Sequence, residues 1–416
     1  MQNALLIEVR LKNAKYSGNT LDELQKLAET ARINPKDSIM VKVSKFHPAT
    51  LLGKGKLEEI RERIARDSID SVIFDNDISP RQQRNLENET GIRVMDRTSL
   101  ILGIFSMRAR TSEGKLQVKL AQFSYNLSRL TGKGTTLEQQ KGMIGTRGPG
   151  ERKMEYDRRV LKDKIAGLKK EIESIKKERG IQRRMRNSIP MPQISIVGYT
   201  NSGKSTLLNC LTSGRHNVYA DDKLFATLDP AVKRVKLPSG GWALCTDTVG
   251  FIQKLPHHLI ASFRATIEEI TFSDLIIHVH DLSSPYMSGQ HAEVEKILKE
   301  LKTGSIPVIN AYNKIDLAPD LNAYQKSLGG YHPVFFSALT GENIDRLLKR
   351  IEEALSEKWI EVEISLPPDK TGLLKDIYEC CLVKNAAYGD KNIKVRLKAT
   401  RENYRRILNK ISRPFE

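Results

Sequence analysis

Gly198, Tyr199, Thr200, Asn201, Ser202, Gly203, Lys204 and Ser205 spell G-x-x-x-x-G-K-S. Glycines at both ends of such a run let backbone N–H groups turn inward around a phosphate, and a helix that follows aims its N-terminal donors at the same anion. The context fits. "QISIVG" (193–198) reads as a buried strand and "KSTLLNCL" (204–211) as the start of a helix. In this loop Lys204 pairs with the β- and γ-phosphates, Ser205 offers its hydroxyl to Mg2+, and Thr206 supplies the next donor along the helix. The expected ligand is a nucleoside triphosphate.

The base is read further along the chain, at Asn313, Lys314, Ile315 and Asp316. A carboxylate at Asp316 accepts from both N1–H and the exocyclic amine of guanine, and adenine offers no such pair. Asn313 braces the neighbouring loops, and the Lys314 stem packs on the base. In "FFSALTGENI" (335–344), Ser337 and Ala338 follow a strand and are expected to present backbone N–H to the guanine carbonyl. Between the two motifs lies "LCTDTVGF" (244–251). There Asp247 suits a Mg2+ ligand acting through water, and the Gly250 N–H suits a γ-phosphate sensor. In "LFATLDP" (224–230), Thr227 is the candidate switch threonine that closes on the metal. The metal set is therefore Ser205, Thr227 and Asp247, and the catalytic set Lys204, Thr227 and Gly250.

These residues need a scaffold. Residues 1–112 alternate strands (4–11, 38–44, 71–77, 92–96) with helices (20–31, 53–67, 79–91), which predicts a small α/β domain with a largely parallel sheet. The period then changes. Leu116, Leu120, Phe123, Leu127 and Leu130 form one heptad seam; Leu161, Ile165, Leu168, Ile172 and Ile175 form another. With the glycine-rich stretch 131–151 between them, residues 113–187 predict a long antiparallel helical hairpin with a loop at its tip. "SIPMPQ" (188–193) is a linker, 188–358 the P-loop domain, and 359–416 a small α+β domain with helices near 371–381 and 401–411. The fold class is α/β multidomain.

Charge points to a partner. The 416 residues carry a formal net charge of +18, which favours a polyanion. From Glu151 to Arg186 there are 14 basic residues against seven acidic, and the adjoining loop adds Lys141 and Arg147. Together with Arg152 and Lys153, these side chains would meet RNA phosphates. Four cysteines without metal-ligand spacing suit a reducing cytosol, and no apolar run is long enough to span a bilayer.

The order GYTNSGKST, ATLDP, DTVGF, NKID, SAL is that of translation-factor-related GTPases. "KGMIGTRGPGE" (141–151), "YDRRVLKDKI" (156–165), residues 96–125 and "DTVGFIQKLPHHLIASFRATIEEI" (247–270) resemble the HflX family of ribosome-associated GTPases over about 1–358. The resemblance implies a cytoplasmic, monomeric GTPase, at most peripherally associated with membrane. It would bind GTP, GDP, the large ribosomal subunit and its RNA, and split stalled or idle 70S ribosomes under stress. Lys141, Arg147, Arg152 and Lys153 are then the ribosome contacts. Asn201 resembles the P-loop asparagine that ligates K+ in some GTPases of this class. The chain departs from the family at Arg152, Lys153, Met154 and Glu155 and at "GTTLEQQ" (134–140), which leaves open a paralogue acting in antibiotic resistance. An ATP-driven RNA-remodelling enzyme is the other alternative, and NKID speaks against it. Phe251 stands where Ras-like enzymes place the glutamine that orients water, so slow intrinsic hydrolysis is expected.

Overall fold

The computed structural model describes residues 2–13, 20–131, 149–186, 191–212, 224–225, 228, 230–254, 267–318, 321, 324, 333–357, 359–389 and 392–412. The chain divides into two compact units. Unit 1 is Met1–Lys176 with Lys223–Leu228 and Lys254–Arg264, and unit 2 is Lys177–Asp222, Asp229–Gln253 and Ala265–Glu416.

Unit 1 opens with β1 (Gln2–Leu11), α1 (Thr20–Thr30), β2 (Ile33–Val43), α2 (Lys54–Asp67), β3 (Ser71–Phe74), α3 (Pro80–Thr90) and β4 (Arg93–Asp96). The sheet order is β2-β1-β3-β4 and every pairing is parallel. Leu5, Ile7 and Val9 on one face of β1 enter a core with Leu57 and Ile60 of α2 and Leu86 of α3. Leu6 and Ile73 on the other face are equally buried, as a parallel sheet covered on both sides requires. Ser79 and Gln82 cap α3 reciprocally, and Gly91 ends it at φ 73°. The strand expected over 71–77 stops at Phe74. Beyond it the Asn76 amide bonds both the N–H (2.8 Å) and the C=O (2.9 Å) of Val9, replacing backbone pairing by a side chain.

Two helices follow that carry the heptads, after α4 (Arg97–Arg108), which Asp96 caps through Ser99 N–H at 2.8 Å. They are α5 (Ser112–Thr131) and α6 (Pro149–Arg186). Lys164 lies over the Phe123 ring at 5.6 Å. Asn126 and Leu130 of α5 share a cavity with Asp157 and Leu161 of α6. Contacts that advance along one helix as they retreat along the other make the pair antiparallel. On α6, Leu161, Ile165, Leu168, Ile172 and Ile175 are withdrawn from solvent between exposed neighbours. The tip residues 132–148, with Lys141 and Arg147, lie outside the described residues, as do the side chains of Arg152 and Lys153 on α6.

Unit 2 contains β5 (Gln193–Gly198), α7 (Lys204–Leu211), β6 (Ala231–Lys236), β7 (Trp242–Asp247), β8 (Leu275–Asp281), α8 (Met287–Glu300), β9 (Val308–Asn313), β10 (Val334–Phe335) and α9 (Ile344–Ser356). The sheet order is β10-β9-β8-β5-β7-β6, parallel except for the β6–β7 hairpin. A three-stranded antiparallel sheet follows, order β11-β13-β12, from β11 (Ile360–Leu366), β12 (Leu382–Tyr388) and β13 (Ile393–Ala399). It is covered by α10 (Leu373–Cys380) and α11 (Arg401–Ser412), with Ile364, Val395, Leu397 and Ile407 in its core. The protein is thus multidomain, with a P-loop domain between N-terminal α/β and helical parts and a C-terminal domain.

Candidate guanine-nucleotide site

In a parallel sheet, ligands collect outside the carboxyl ends of the strands. β5, β7, β8 and β9 end there at Gly198, Asp247, Asp281 and Asn313. The phosphate loop needs its glycines. A Cβ at Gly198 would meet the Val279 carbonyl, and one at Gly203 (φ 91°) would meet the Asn313 amide. Asn201 carries φ 61°, a left-handed conformation that asparagine tolerates better than most residues. Thr200 Oγ1 and Ser202 Oγ are buried in the loop without a hydrogen-bond partner among the described residues. Buried hydroxyls of this kind suit a polar ligand that brings its own acceptors.

Lys204 is 6% exposed and donates from Nζ to the Tyr199 carbonyl at 2.7 Å. Burial pushes its ammonium down to about 8, with Asp247 pulling the other way and Lys314 adding to the depression. A phosphate at the loop would supply the missing negative charge. Ser205 Oγ donates to Asp247 Oδ2 at 2.6 Å. A hydroxyl beside a fully buried carboxylate is the oxygen donor set of a hard cation. Mg2+ fits this donor set: Ser205 and Asp247 would hold it, and with bound nucleotide it would neutralise phosphate charge.

The turn after β7 clamps the phosphate loop. Thr200 N–H donates to the Phe251 carbonyl at 2.7 Å, and Phe251 N–H donates to the Gly198 carbonyl at 3.1 Å. Thr248 Oγ1 donates to the Ile196 carbonyl at 2.8 Å, and Gln253 N–H donates to the Tyr199 hydroxyl at 2.7 Å. A Cβ at Gly250 would sit 2.8 Å from the Thr200 methyl and 3.0 Å from Lys204 Nζ, so glycine is the residue that allows this approach. The Phe251 side chain is 2% exposed. It is a core anchor.

Asn313 bridges two loops. Its Nδ2 donates to the Ser202 carbonyl at 2.9 Å, and its Oδ1 accepts from Ala338 N–H at 2.9 Å. Lys314, at φ 66°, donates from Nζ to Asp281 Oδ2 at 2.7 Å. Asp316 is exposed and available to a base. Ser337 and Ala338 follow β10 in the loop beside Asn313. Ser337 N–H donates to the Glu342 carbonyl at 3.0 Å and Ala338 N–H to Asn313. Both bonds shape the loop after β10. Thr227 lies outside the described residues. Asp281 is the residue that sequence reasoning missed; its signal was an aspartate at a strand end level with Asn313, which it faces in register.

A parallel sheet that delivers a phosphate loop, a serine–aspartate metal pair and a braced NKxD motif to one edge defines a P-loop GTPase. Profiles of four families match in succession: "GTP-binding GTPase N-terminal" over 18–106, "GTP-binding GTPase Middle Region" over 108–186, "50S ribosome-binding GTPase" over 193–314 and "HflX C-terminal domain" over 323–412. The chain is 44% identical over 362 residues to the GTPase HflX of Lacrimispora saccharolytica, covering 87% of this chain and 85% of that one. It is 42% identical over 403 residues to the GTPase HflX of Caldanaerobacter subterraneus subsp. tengcongensis, covering 97% and 92%. It is 39% identical over 380 residues to the GTPase HflX of Escherichia coli, covering 91% and 88%. The chain belongs to the HflX family and is a GTP-hydrolysing enzyme.

Proposed function

We propose that this GTPase binds the large ribosomal subunit in its GTP state and splits stalled or idle 70S ribosomes in the cytoplasm, with hydrolysis serving release. One observation carries the link between nucleotide and partner. Unit 1, which holds α5 and α6 as far as Lys176, also takes in Lys223–Leu228 and Lys254–Arg264. The first segment holds the candidate switch threonine, and the second follows the DTVGF turn. Phe225 stacks edge-on against Phe105 at 4.7 Å, Leu224 N–H donates to Thr30 Oγ1 at 3.2 Å, and Lys254 pairs with Asp75. Phe225 and Lys254 both hold φ 54°, a strained backbone for these residue types. Such segments are suited to make unit 1 respond to a γ-phosphate.

Within the site, Lys204 and Mg2+ would meet the phosphates, Gly250 N–H the γ-phosphate, and Asp316 the guanine. With no glutamine after Gly250, acceleration would come from the ribosome or from K+ at Asn201. Lys141, Arg147, Arg152 and Lys153 would meet ribosomal RNA phosphates at the hairpin tip. The test is sedimentation of 70S particles with the protein and a non-hydrolysable GTP analogue. Intact 70S particles at saturating protein would reject the reading.

A further inference from the structure

β8 reads L-I-I-H-V-H-D, and a strand's period of two puts His278 and His280 on one face. α8 contributes His291. The three rings cluster, with centroid separations of 3.9 Å (278–280), 5.2 Å (278–291) and 5.1 Å (280–291). One ligand nitrogen from each lies within 4.8 Å of the others. His278 is 1% and His280 4% exposed. None of the three serves the nucleotide site described above.

Stacked histidines can simply fill a core, but a core histidine normally satisfies its ring nitrogens. Here His278 Nδ1 and His291 Nδ1 are buried without a hydrogen-bond partner among the described residues. His280 is arranged differently. Its Nε2 lies 3.2 Å from Asn310 Oδ1, an acceptor, so Nε2 carries the proton and Nδ1 keeps the lone pair. Donation of one ring N–H to a carbonyl while the other nitrogen stays open is the usual arrangement of a metal-ligating histidine. Tyr312 stacks on the His280 ring at 4.6 Å and limits its rotation. Burial lowers the pKa of His278 and brings His280 to about 4.

We propose that His278, His280 and His291 form a site for a divalent late-transition ion of the zinc class, with water completing the coordination. Three imidazoles without a carboxylate exclude Mg2+ and Ca2+, which take oxygen ligands, and suit Zn2+, Co2+, Ni2+ or Cu2+. Zinc–nitrogen bonds are about 2.0–2.1 Å, and the three ligand nitrogens lie within 4.8 Å of one another. The ion would pin the end of β8. The next residue there, Asp281, holds Lys314 of the base motif.

The test uses the full chain without an affinity tag, freed of metal by a chelator and kept in saturating Mg2+ and GDP so that the nucleotide site is closed to the probe. Co2+ is titrated, and Zn2+ then competes for it. One Co2+ per chain is expected, with the intense visible bands of a tetrahedral nitrogen-rich site, bleached by one equivalent of Zn2+. His291→Ala, on a half-buried helix position, should abolish those bands while GDP binding persists. Asn310→Ala should weaken the metal by about 10–100-fold, as loss of an orienting partner does. Absence of one-equivalent binding in the nucleotide-competent chain would overturn the proposal. So would bands that survive unchanged in both His291→Ala and His280→Ala.

Discussion

Asn313 Nδ2 reaches the Ser202 carbonyl at 2.9 Å, so the strand that ends in the base-reading motif is tied to the phosphate loop. Base and phosphate recognition therefore share one brace, and Asp316 stands exposed three residues beyond it. Asp316→Asn should lower GTP affinity about a hundredfold or more, since two charge-assisted hydrogen bonds are lost. The same variant should gain affinity for xanthosine triphosphate, whose extra oxygen accepts from the amide. Competition binding of the two nucleotides checks this. Unchanged GTP affinity would refute the role of Asp316.

The Lys204 ammonium gives the site a pH dependence. Its pKa without nucleotide is about 8, and a bound phosphate raises it. Binding is therefore strongest below pH 8, where the lysine already carries its proton. Above pH 8 affinity should fall by about tenfold per pH unit until the bound-state pKa is passed. Titration calorimetry from pH 7 upward should show proton uptake on binding. Lys204→Ala should remove both the tight binding and the pH dependence.

Phe251 separates packing from chemistry. Its ring is buried and its backbone clamps the phosphate loop through Thr200 and Gly198. Phe251→Ala should cost about 3–5 kcal/mol of stability and weaken nucleotide binding, as read by thermal melts. Turnover at saturating GTP should stay within about tenfold, in contrast to the loss that follows removal of a residue acting in the transition state. A loss of several orders of magnitude in a folded, GTP-saturated variant would reverse this assignment.

Asp75 pairs with two cations, Arg97 at 2.7 Å and Lys254. Arg97 and Asp75 are buried, so Asp75→Asn breaks a buried pair and should destabilise unit 1 by about 3 kcal/mol. Lys254 is 40% exposed, and screening limits its share to less than about 1 kcal/mol. Lys254→Ala should melt like the parent and bind GTP equally well, yet lose ribosome splitting. Normal splitting by this variant would remove Lys254 from the proposed link.

Much of this was legible in the sequence, for physical reasons that differ by region. The seams at Leu116–Leu130 and Leu161–Ile175 could be read because a helix repeats its buried face every three or four residues. The phosphate loop could be read because only glycine fits beside the Val279 carbonyl and the Asn313 amide. β12, whose "LVKNAAY" has little alternation, takes its strand form from pairing with β13. Sequence order does not show backbone partners, such as the bond from Ala338 N–H to Asn313. The histidine cluster joins His278 and His280 of a strand to His291 of a helix, and neither segment alone suggests a site.

The central claim is that GTP, and not GDP, arms this protein to separate ribosomal subunits. Sucrose-gradient sedimentation of purified 70S particles tests it most directly, with excess protein and GDP, GTP or a non-hydrolysable GTP analogue. The account predicts conversion of the 70S peak to 50S and 30S with GTP and with the analogue, the protein staying on 50S only with the analogue. It predicts no conversion with GDP, and none for a GTP-binding chain in which 132–149 is replaced by a short linker. Intact 70S particles with the analogue, or equal splitting by GDP or by the deleted chain, would contradict it.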